Sequence, residues 1–343
     1  MDIPSPATEL VGMVQAHWTT DTICAAAELG VADVLARGPA DTAELAEATG
    51  AHPPALDRLL RALATLGLCT RGPDDRWSAT PLGAALRRDA PGGAHARALL
   101  TSRLWRPLWD DLTASVRTGE QACSRVNGRP LFDHLARRPE LGALYDVTQR
   151  GLIDDAGARF VAAYDVPDGG AVVDLGGGTG ALLRHVLAAR PACRGILVDL
   201  PQVAQRAHAE LAAAGVADRC DVMMGDFFEA VPGGAEVYLL SFVLHDWTDD
   251  ECRALLRNVR TATGPDARVL VVEQVLPDDG PGDPGPALYD LHMLVGTGGR
   301  ERTRTEYAEL LADTGFRVES VTATAGPRSV IDARPVPVRR TPR

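Results

Sequence analysis

Two short segments of the sequence combine residue types and spacing that can support chemistry. The first, Asp174-Leu175-Gly176-Gly177-Gly178-Thr179-Gly180, follows an apolar β-branched run and precedes a helical pattern. Glycines at such a strand-to-helix turn let the backbone approach a ligand at a helix N-terminus, as nucleotide-holding turns do. The second, Ser241-Phe242-Val243-Leu244-His245-Asp246-Trp247, ends another apolar run and leads into Thr248-Asp249-Asp250-Glu251, a capping sequence for a new helix. Histidine titrates at about pH 6.5, so at a strand end it can take a proton from a reacting group, and a carboxylate on its other nitrogen would fix the tautomer.

Taken alone, the glycine-rich turn is ambiguous. Gly176, Gly178 and Ala181 satisfy the dinucleotide pattern G-x-G-x-x-A, and Asp199 lies 23 residues beyond Gly176, where a ribose-binding carboxylate belongs. A nicotinamide-dependent enzyme is consistent with that turn. Gly225-Asp226-Phe227-Phe228 adds an acid that can accept from an adenine amino group and rings that can stack on the base. Ligands of doubly wound sheets sit at the carboxyl ends of the strands. The glycine turn, Asp199, Asp226-Phe227 and His245-Asp246-Trp247 are therefore expected to share one cleft.

Bringing these segments together requires a sheet, and residues 169–336 have the texture of one. Apolar runs at 171–175, 195–199, 221–224, 237–240 and 269–272 alternate with helical patterns such as 179–190 and 249–261. Continuous β-branched runs between helices predict an α/β fold with a doubly wound, mostly parallel sheet. Runs at 316–322 and 329–336, with Gly326-Pro327-Arg328 near their junction, predict an antiparallel C-terminal edge. The Pro- and Gly-rich stretch 277–286 reads as surface linker and residues 337–343 as a disordered tail.

Residues 1–110 read differently, as short helices. Asp41 is placed to cap a helix with Glu44 three residues on, and Gly50 is placed to end it. Leu56, Leu59, Leu60, Leu63 and Leu66 then recur at helical spacing until Gly67, and two short runs around Gly72-Pro73-Asp74-Asp75 make a hairpin. Helix, helix, hairpin predicts a winged helix, with 111–168 as a helical linker contributing to the substrate pocket. Its charge argues against DNA: seven acids face six arginines between residues 41 and 89. A dimerisation module is the better reading.

Over the whole chain, 35 basic residues, every one an arginine, stand against 46 acids, a net charge of −11 that disfavours any phosphate-neutralising partner. The absence of lysine excludes Schiff-base chemistry, phosphate-gripping lysines and Ser-x-x-Lys acyl transfer. The 343 residues, 45% of them hydrophobic, suit two domains with a sizeable core. The longest apolar stretch, 237–244, is too short to span a bilayer, and Met1-Asp2-Ile3-Pro4 lacks a basic secretory n-region. Six scattered cysteines without a CxxC pair, and histidines never at metal-ligand spacing, predict free thiols in a reducing cytoplasm and no metal.

The glycine turn, Val198-Asp199-Leu200-Pro201, Gly225-Asp226-Phe227-Phe228, Leu244-His245-Asp246-Trp247 and Gly298-Gly299-Arg300-Glu301-Arg302-Thr303 occur in that order. Together they resemble the motifs of S-adenosylmethionine-dependent O-methyltransferases, the class that includes plant caffeic acid and flavonoid enzymes and bacterial enzymes tailoring natural products. The resemblance covers nearly the whole chain. It implies a winged-helix dimerisation domain before a Rossmann-like methyltransferase sheet, a homodimer, and S-adenosyl-L-methionine as cofactor. It implies that Asp174, Gly176, Gly178 and Gly180 face the methionine moiety, that Asp199 with Leu200 takes the ribose, and that Asp226 and Phe227 hold adenine. Ser241 stands where the family often has a lysine or another polar residue, so this lysine-free chain departs there. His245 matches the catalytic base and Glu273 and Glu301 the acids that orient it. Asp246, Met293, Tyr145 and Trp247 match positions around the acceptor, and His292 lies close to Met293.

The reaction so implied is methyl transfer to a phenolic or similar hydroxyl of a small aromatic metabolite. A sulfonium methyl is already electrophilic, so alignment and removal of one proton suffice. Three alternatives stand beside it: nitrogen or carbon as acceptor, a non-methylating reaction such as decarboxylation or hydroxylation on the same fold, and a winged-helix ligand-sensing regulator.

Overall fold

The computed structural model describes residues 5–280 and 282–337, so all but the first residue of the expected tail lies outside the described residues. The chain divides into two compact units, residues 1–107 with 140–151 and residues 108–139 with 152–343. Of the long helix Pro139–Ala163, residues 140–151 fall in the first unit and the rest in the second.

In the first unit, local sequence sets the elements. Asp41 Oδ1 accepts from the Glu44 N–H at 2.9 Å while Glu44 Oε2 accepts from the Asp41 N–H at 2.8 Å, a capping box that opens helix Thr42–Thr49. Gly50 closes that helix in the left-handed conformation. Helix Pro53–Thr65 turns Leu56, Leu60 and Leu63 inward. Strands β1 (Cys69–Arg71) and β2 (Trp77–Ala79) pair antiparallel as the expected hairpin. Trp77 fills the same core and donates its Nε1–H to Thr42 Oγ1 at 3.1 Å, which satisfies the one polar atom of a buried indole. Helix Pro81–Ala84 lies so close to the hairpin entry that a Cβ on Gly83 would overlap the Leu68 carbonyl.

The second unit is built on β3 (Gly170–Leu175), β4 (Cys193–Asp199), β5 (Cys220–Met224), β6 (Val237–Ser241), β7 (Arg268–Leu276), β8 (Arg302–Thr303), β9 (Phe316–Ala323) and β10 (Arg328–Pro335). Their order is β5-β4-β3-β6-β7-β10-β9, with short β8 paired to β7 off the main path. β3 to β7 run parallel, and β10 lies antiparallel between β7 and β9. This is the expected α/β sheet with its antiparallel edge. Successive residues bury on opposite faces. Val173, Leu240, Val269 and Val271 pack with helices Asp249–Ala262 and Arg304–Asp313, whereas Val172, Leu239, Leu270 and Val272 pack with helices Ala181–Ala189 and Pro201–Ala213. Strands covered on both faces have no polar side to show, which is why they read as continuous apolar runs. The strand order reverses at β3, between β4 and β6, so the ligand-binding crevice of such a sheet falls at the carboxyl ends of β3 and β6.

Two details differ from expectation. The helix after β3 starts at Ala181, because Gly178 and Gly180 take φ of +62° and +83°, left-handed values that do not propagate a helix. The linker ends early, at Pro284, where Asp283 accepts from the Gly285 N–H at 3.0 Å and a first-turn proline starts helix Pro284–Gly296. Among the described residues, no helix is long and apolar enough to cross a membrane. Overpacking a close backbone approach typically costs about 1–3 kcal/mol. Gly83→Ala is expected to lower the urea midpoint correspondingly without changing the slope of the transition.

Candidate active site

The cleft begins with two carboxylates of opposite character. Asp199, at the end of β4, accepts from the Gly178 N–H at 2.8 Å and from its neighbour Leu200 N–H at 2.7 Å, so it pins the glycine turn to the adjacent strand. Asp174, at the end of β3, is fully buried and neither of its oxygens has a hydrogen-bond partner. Burial, reinforced by the negative charge of Asp199, pushes its carboxyl up to about 8. The turn wraps tightly over it, since a Cβ on Gly177 would run into the Asp174 carboxylate, whereas one on Gly178 would meet nothing within 4 Å. An orphaned buried carboxyl beneath a turn with open space is what a cationic ligand group requires.

The end of β5 closes this side. Asp226 Oδ1 accepts from the Phe228 N–H at 2.8 Å, which folds the chain back so that Phe227 approaches the turn, 3.3 Å from where a Gly176 Cβ would stand. Phe227, Phe228 and Trp247 form an aromatic cluster, with Trp247 edge-on to Phe228 at 4.7 Å between centroids.

The chemistry-bearing histidine stands just past β6. Phe242 turns the chain at φ +56°, a conformation few side chains adopt, and a short turn Leu244–Asp246 then presents His245, which is 2% exposed. Its Nδ1 lies 2.9 Å from Glu301 Oε1 and 3.4 Å from Glu273 Oε2. Glu273, on β7, also accepts the Val243 and Leu244 N–H groups on Oε1 at 2.9 Å each, so one carboxylate both clamps the turn and faces the imidazole. Asp246 Oδ1 is 3.9 Å from Nε2. Burial alone would push the imidazole down, but the charges of Glu273 and Asp246 and the hydrogen bond to Glu301 overcome it and His245 is raised to about 10. Burial pushes Glu273 up to about 7 against the pull of the imidazolium, and Asp246 up to about 6 by the same balance.

The sequence-expected residues thus fall into several groups. His245, Glu273, Glu301 and Asp246 are in one cluster; Asp174, Gly176, Gly178, Gly180, Asp199 and Leu200 form the glycine-turn side, with Asp226 and Phe227 next to it. Ser241 is buried at the last position of β6, in register with Val272. Met293 is buried on helix Pro284–Gly296. Trp247 is engaged in the aromatic cluster, because the turn after His245 swings its ring onto Phe228. Tyr145 belongs to the first unit, where its ring lies 6.4 Å from that of Trp105. The segments 298–301 and 245–247 touch so closely that a Cβ on Gly299 would overlap the His245 carbonyl.

The sequence singled out His292 but missed three participants, Asp290, Tyr289 and Arg302. Asp290 Oδ1 accepts the Glu301 N–H at 2.7 Å. Tyr289 lies beside His245 with ring centroids 6.0 Å apart, and His292 beyond it accepts from Trp109 Nε1 at 3.1 Å. The third is Arg302, whose guanidinium is buried. A signal exists for Tyr289, His292 and Met293, whose spacing places them on one helix face; none exists for Arg302 beyond its adjacency to Glu301.

Known proteins share this arrangement of domains. Residues 109–317 match the O-methyltransferase domain family, and residues 11–89 match the O-methyltransferase dimerisation domain. The chain is 40% identical to a phenazine O-methyltransferase from Lysobacter antibioticus, over 95% of this chain and 96% of that one. It is 37% identical to an 8-amino-8-demethylriboflavin N,N-dimethyltransferase from Streptomyces davaonensis, over 90% of each. Among solved structures it resembles an O-methyltransferase of neocarzinostatin biosynthesis in complex with S-adenosylmethionine and 2-hydroxy-5-methyl naphthoic acid, with a TM-score of 0.78 and 34% identity over 93% of this chain and 96% of the other.

The buried Asp174 carboxyl makes stability depend on pH with a definite sign. Its folded pKa of about 8 stands above its ordinary value of 3.8, so the native state binds the extra proton and is destabilised as pH rises between those values. Asp174→Asn is therefore expected to raise the Tm of the ligand-free protein, more at pH 8 than at pH 5. A gain that shrank as pH rose would contradict the burial argument.

Proposed function

The chain belongs to the O-methyltransferase family, and on that premise we propose that it transfers a methyl group to a phenolic or similar hydroxyl of a small, flat metabolite, with His245 as the general base. It is a methyltransferase, and its cofactor is S-adenosyl-L-methionine. When bound, that cofactor supplies a methyl group on a sulfonium, electrophilic enough to need no further activation.

The residues present fit it. The unpartnered Asp174 carboxyl suits the positive charge of the methionine end. Asp199, held at the end of β4 beside the glycine turn, offers its carboxylate to the ribose hydroxyls. Phe227 and Asp226 offer a ring and a carboxylate to adenine.

One observation carries the base assignment: Nδ1 of His245 is committed to Glu301 at 2.9 Å, which leaves Nε2 to take the acceptor proton. Glu301 and Glu273 then stabilise the imidazolium that forms, and their charges make the base stronger than a free histidine. A strong base carries a constraint, because only its neutral form can accept a proton. Activity therefore increases with pH through the neutral range as the imidazolium of the free enzyme is depleted.

Metal independence is part of the same proposal. His245, Glu273 and Glu301 are the one group among the described residues whose donor atoms lie within 4.8 Å of one another, as metal ligands do. A cation there would sit on the Nδ1 side of the ring, whereas the acceptor oxygen is served by Nε2. What supports a homodimer is the dimerisation-domain match together with Leu10, Val11, Met13, Val14 and Trp18, each more than half exposed on the first two helices. Six free, buried thiols fit a reducing cytoplasm. The N,N-dimethyltransferase relative supports a second reading, with an arylamine as acceptor; the methylated atom of an isolated product distinguishes the two.

His245→Ala is expected to lower kcat by about 10²–10⁴-fold, the usual worth of a positioned base, while the cofactor dissociation constant measured by calorimetry stays within about twofold. In the parent, kcat/KM should rise between pH 6.5 and 8.5, and a flat profile would remove the base role. Dialysis against EDTA is expected to leave activity intact; loss restored by a divalent cation would overturn metal independence.

A further inference from the structure

We infer that Arg302 is a positioning residue for methyl transfer: its buried guanidinium holds, by the carbonyls on either side of it, the turn that presents His245. The inference rests on the proposed base role of His245.

Arg302 is 1% exposed, an expensive place for a cation, yet every one of its donors is used. Nε donates to Asp249 Oδ1 at 2.9 Å and Nη2 to the same oxygen at 2.7 Å. Nη1 donates to the Leu244 carbonyl at 2.9 Å and the Arg300 carbonyl at 3.3 Å, and Nη2 to the Trp247 carbonyl at 3.0 Å. These five bonds match the five N–H groups of a guanidinium. Leu244 immediately precedes His245 and Trp247 follows it by two, so the fork spans the histidine's own turn. The guanidinium touches neither the imidazole nor its carboxylates through any of these bonds. Its effect on His245 is therefore transmitted through backbone.

The connectivity makes this grip specific. Glu301, which holds His245 Nδ1, is the preceding residue, and its N–H is tied to Asp290. Arg302 itself lies on β8, in register with Val275 of β7, the strand that carries Glu273. Glu301 thus immediately precedes, and Glu273 lies two residues before, the short pairing of β7 with β8 that holds Arg302. A displacement of the turn by a few tenths of an ångström would stretch the 2.9 Å contact on which the ring's orientation depends. Lysine cannot replace this fork, since an ammonium offers three donors from one point and cannot reach carbonyls on two sides.

The test compares Arg302→Lys with the parent by three readouts: folding, steady-state kinetics on whichever acceptor is turned over, and the titration of the His245 imidazole by NMR on histidine-labelled protein, assigned with His245→Asn. The expected result is a folded protein whose kcat falls about tenfold or more while KM and the cofactor dissociation constant change less than about twofold. The His245 titration should move down toward its ordinary range, because a ring drifting from Glu273 and Glu301 loses the charges that raise it. A folded Arg302→Lys protein with parental kcat and parental His245 titration would overturn the inference. Because the titration is read without turnover, a shifted titration in an enzyme that methylates no acceptor hydroxyl would sink the base reading while leaving the positioning role standing. Should Arg302→Lys not fold, Asp249→Ala removes only the half-exposed anchor of the fork. It should give the same changes in smaller measure, about two- to fivefold in kcat, and no change in either readout would equally overturn the proposal.

Discussion

A histidine buried to 2% and set 2.9 Å from one carboxylate and 3.4 Å from another is the constraint around which the second unit is arranged. Charges taken out of water are tolerated only when paired in good geometry and otherwise satisfied by hydrogen bonds. Each partner is therefore itself secured. Glu273 is locked by two backbone N–H groups, Glu301 is held through its own N–H by Asp290, and the turn is gripped by Arg302. Gly299 belongs to the same arrangement, since only a residue without a Cβ lets the segment bearing Glu301 come against the backbone of His245.

The other half of the crevice uses carboxylates in the opposite way. Asp199 accepts two backbone N–H groups and so pins the glycine turn to β4, whereas Asp174, one strand away, has no hydrogen-bond partner and is driven toward its neutral form. A carboxyl in that state is poorly stable alone and well matched to a ligand cation. On the proposed reading, the positive charge of the cofactor's methionine end supplies what the fold withholds. The free protein is thus less stable than one with that carboxyl satisfied would be.

The residues of the cleft are held by elements of two different kinds. The glycine turn, Asp199 and the His245 cluster are held by β3, β4, β6 and β7, whose spacing is fixed by hydrogen bonds between neighbouring strands. Tyr289, His292 and Met293 sit on a helix that follows a Pro- and Gly-rich stretch, where side chains can change without disturbing the sheet.

Patterns confined to a few consecutive residues are legible in the amino-acid sequence by itself. The capping box at Asp41, the inward leucines of helix Pro53–Thr65, the hairpin, the parallel strands and the glycine turn all follow from local hydrogen bonding or from apolar periodicity. His245, Glu273 and Glu301 are legible as motif positions, though nothing in their own spacing says that residues 28 and 56 apart in sequence would meet. Three matters are decided only by the tertiary structure. Trp247 turns to the aromatic cluster on Phe228, Tyr145 goes with the first unit, and Arg302 is buried with all five donors used. The reason is common to them. Local sequence determines how a backbone segment is shaped, but a side chain's partner is whichever group the packed sheet and its loops bring within about 3 Å of it.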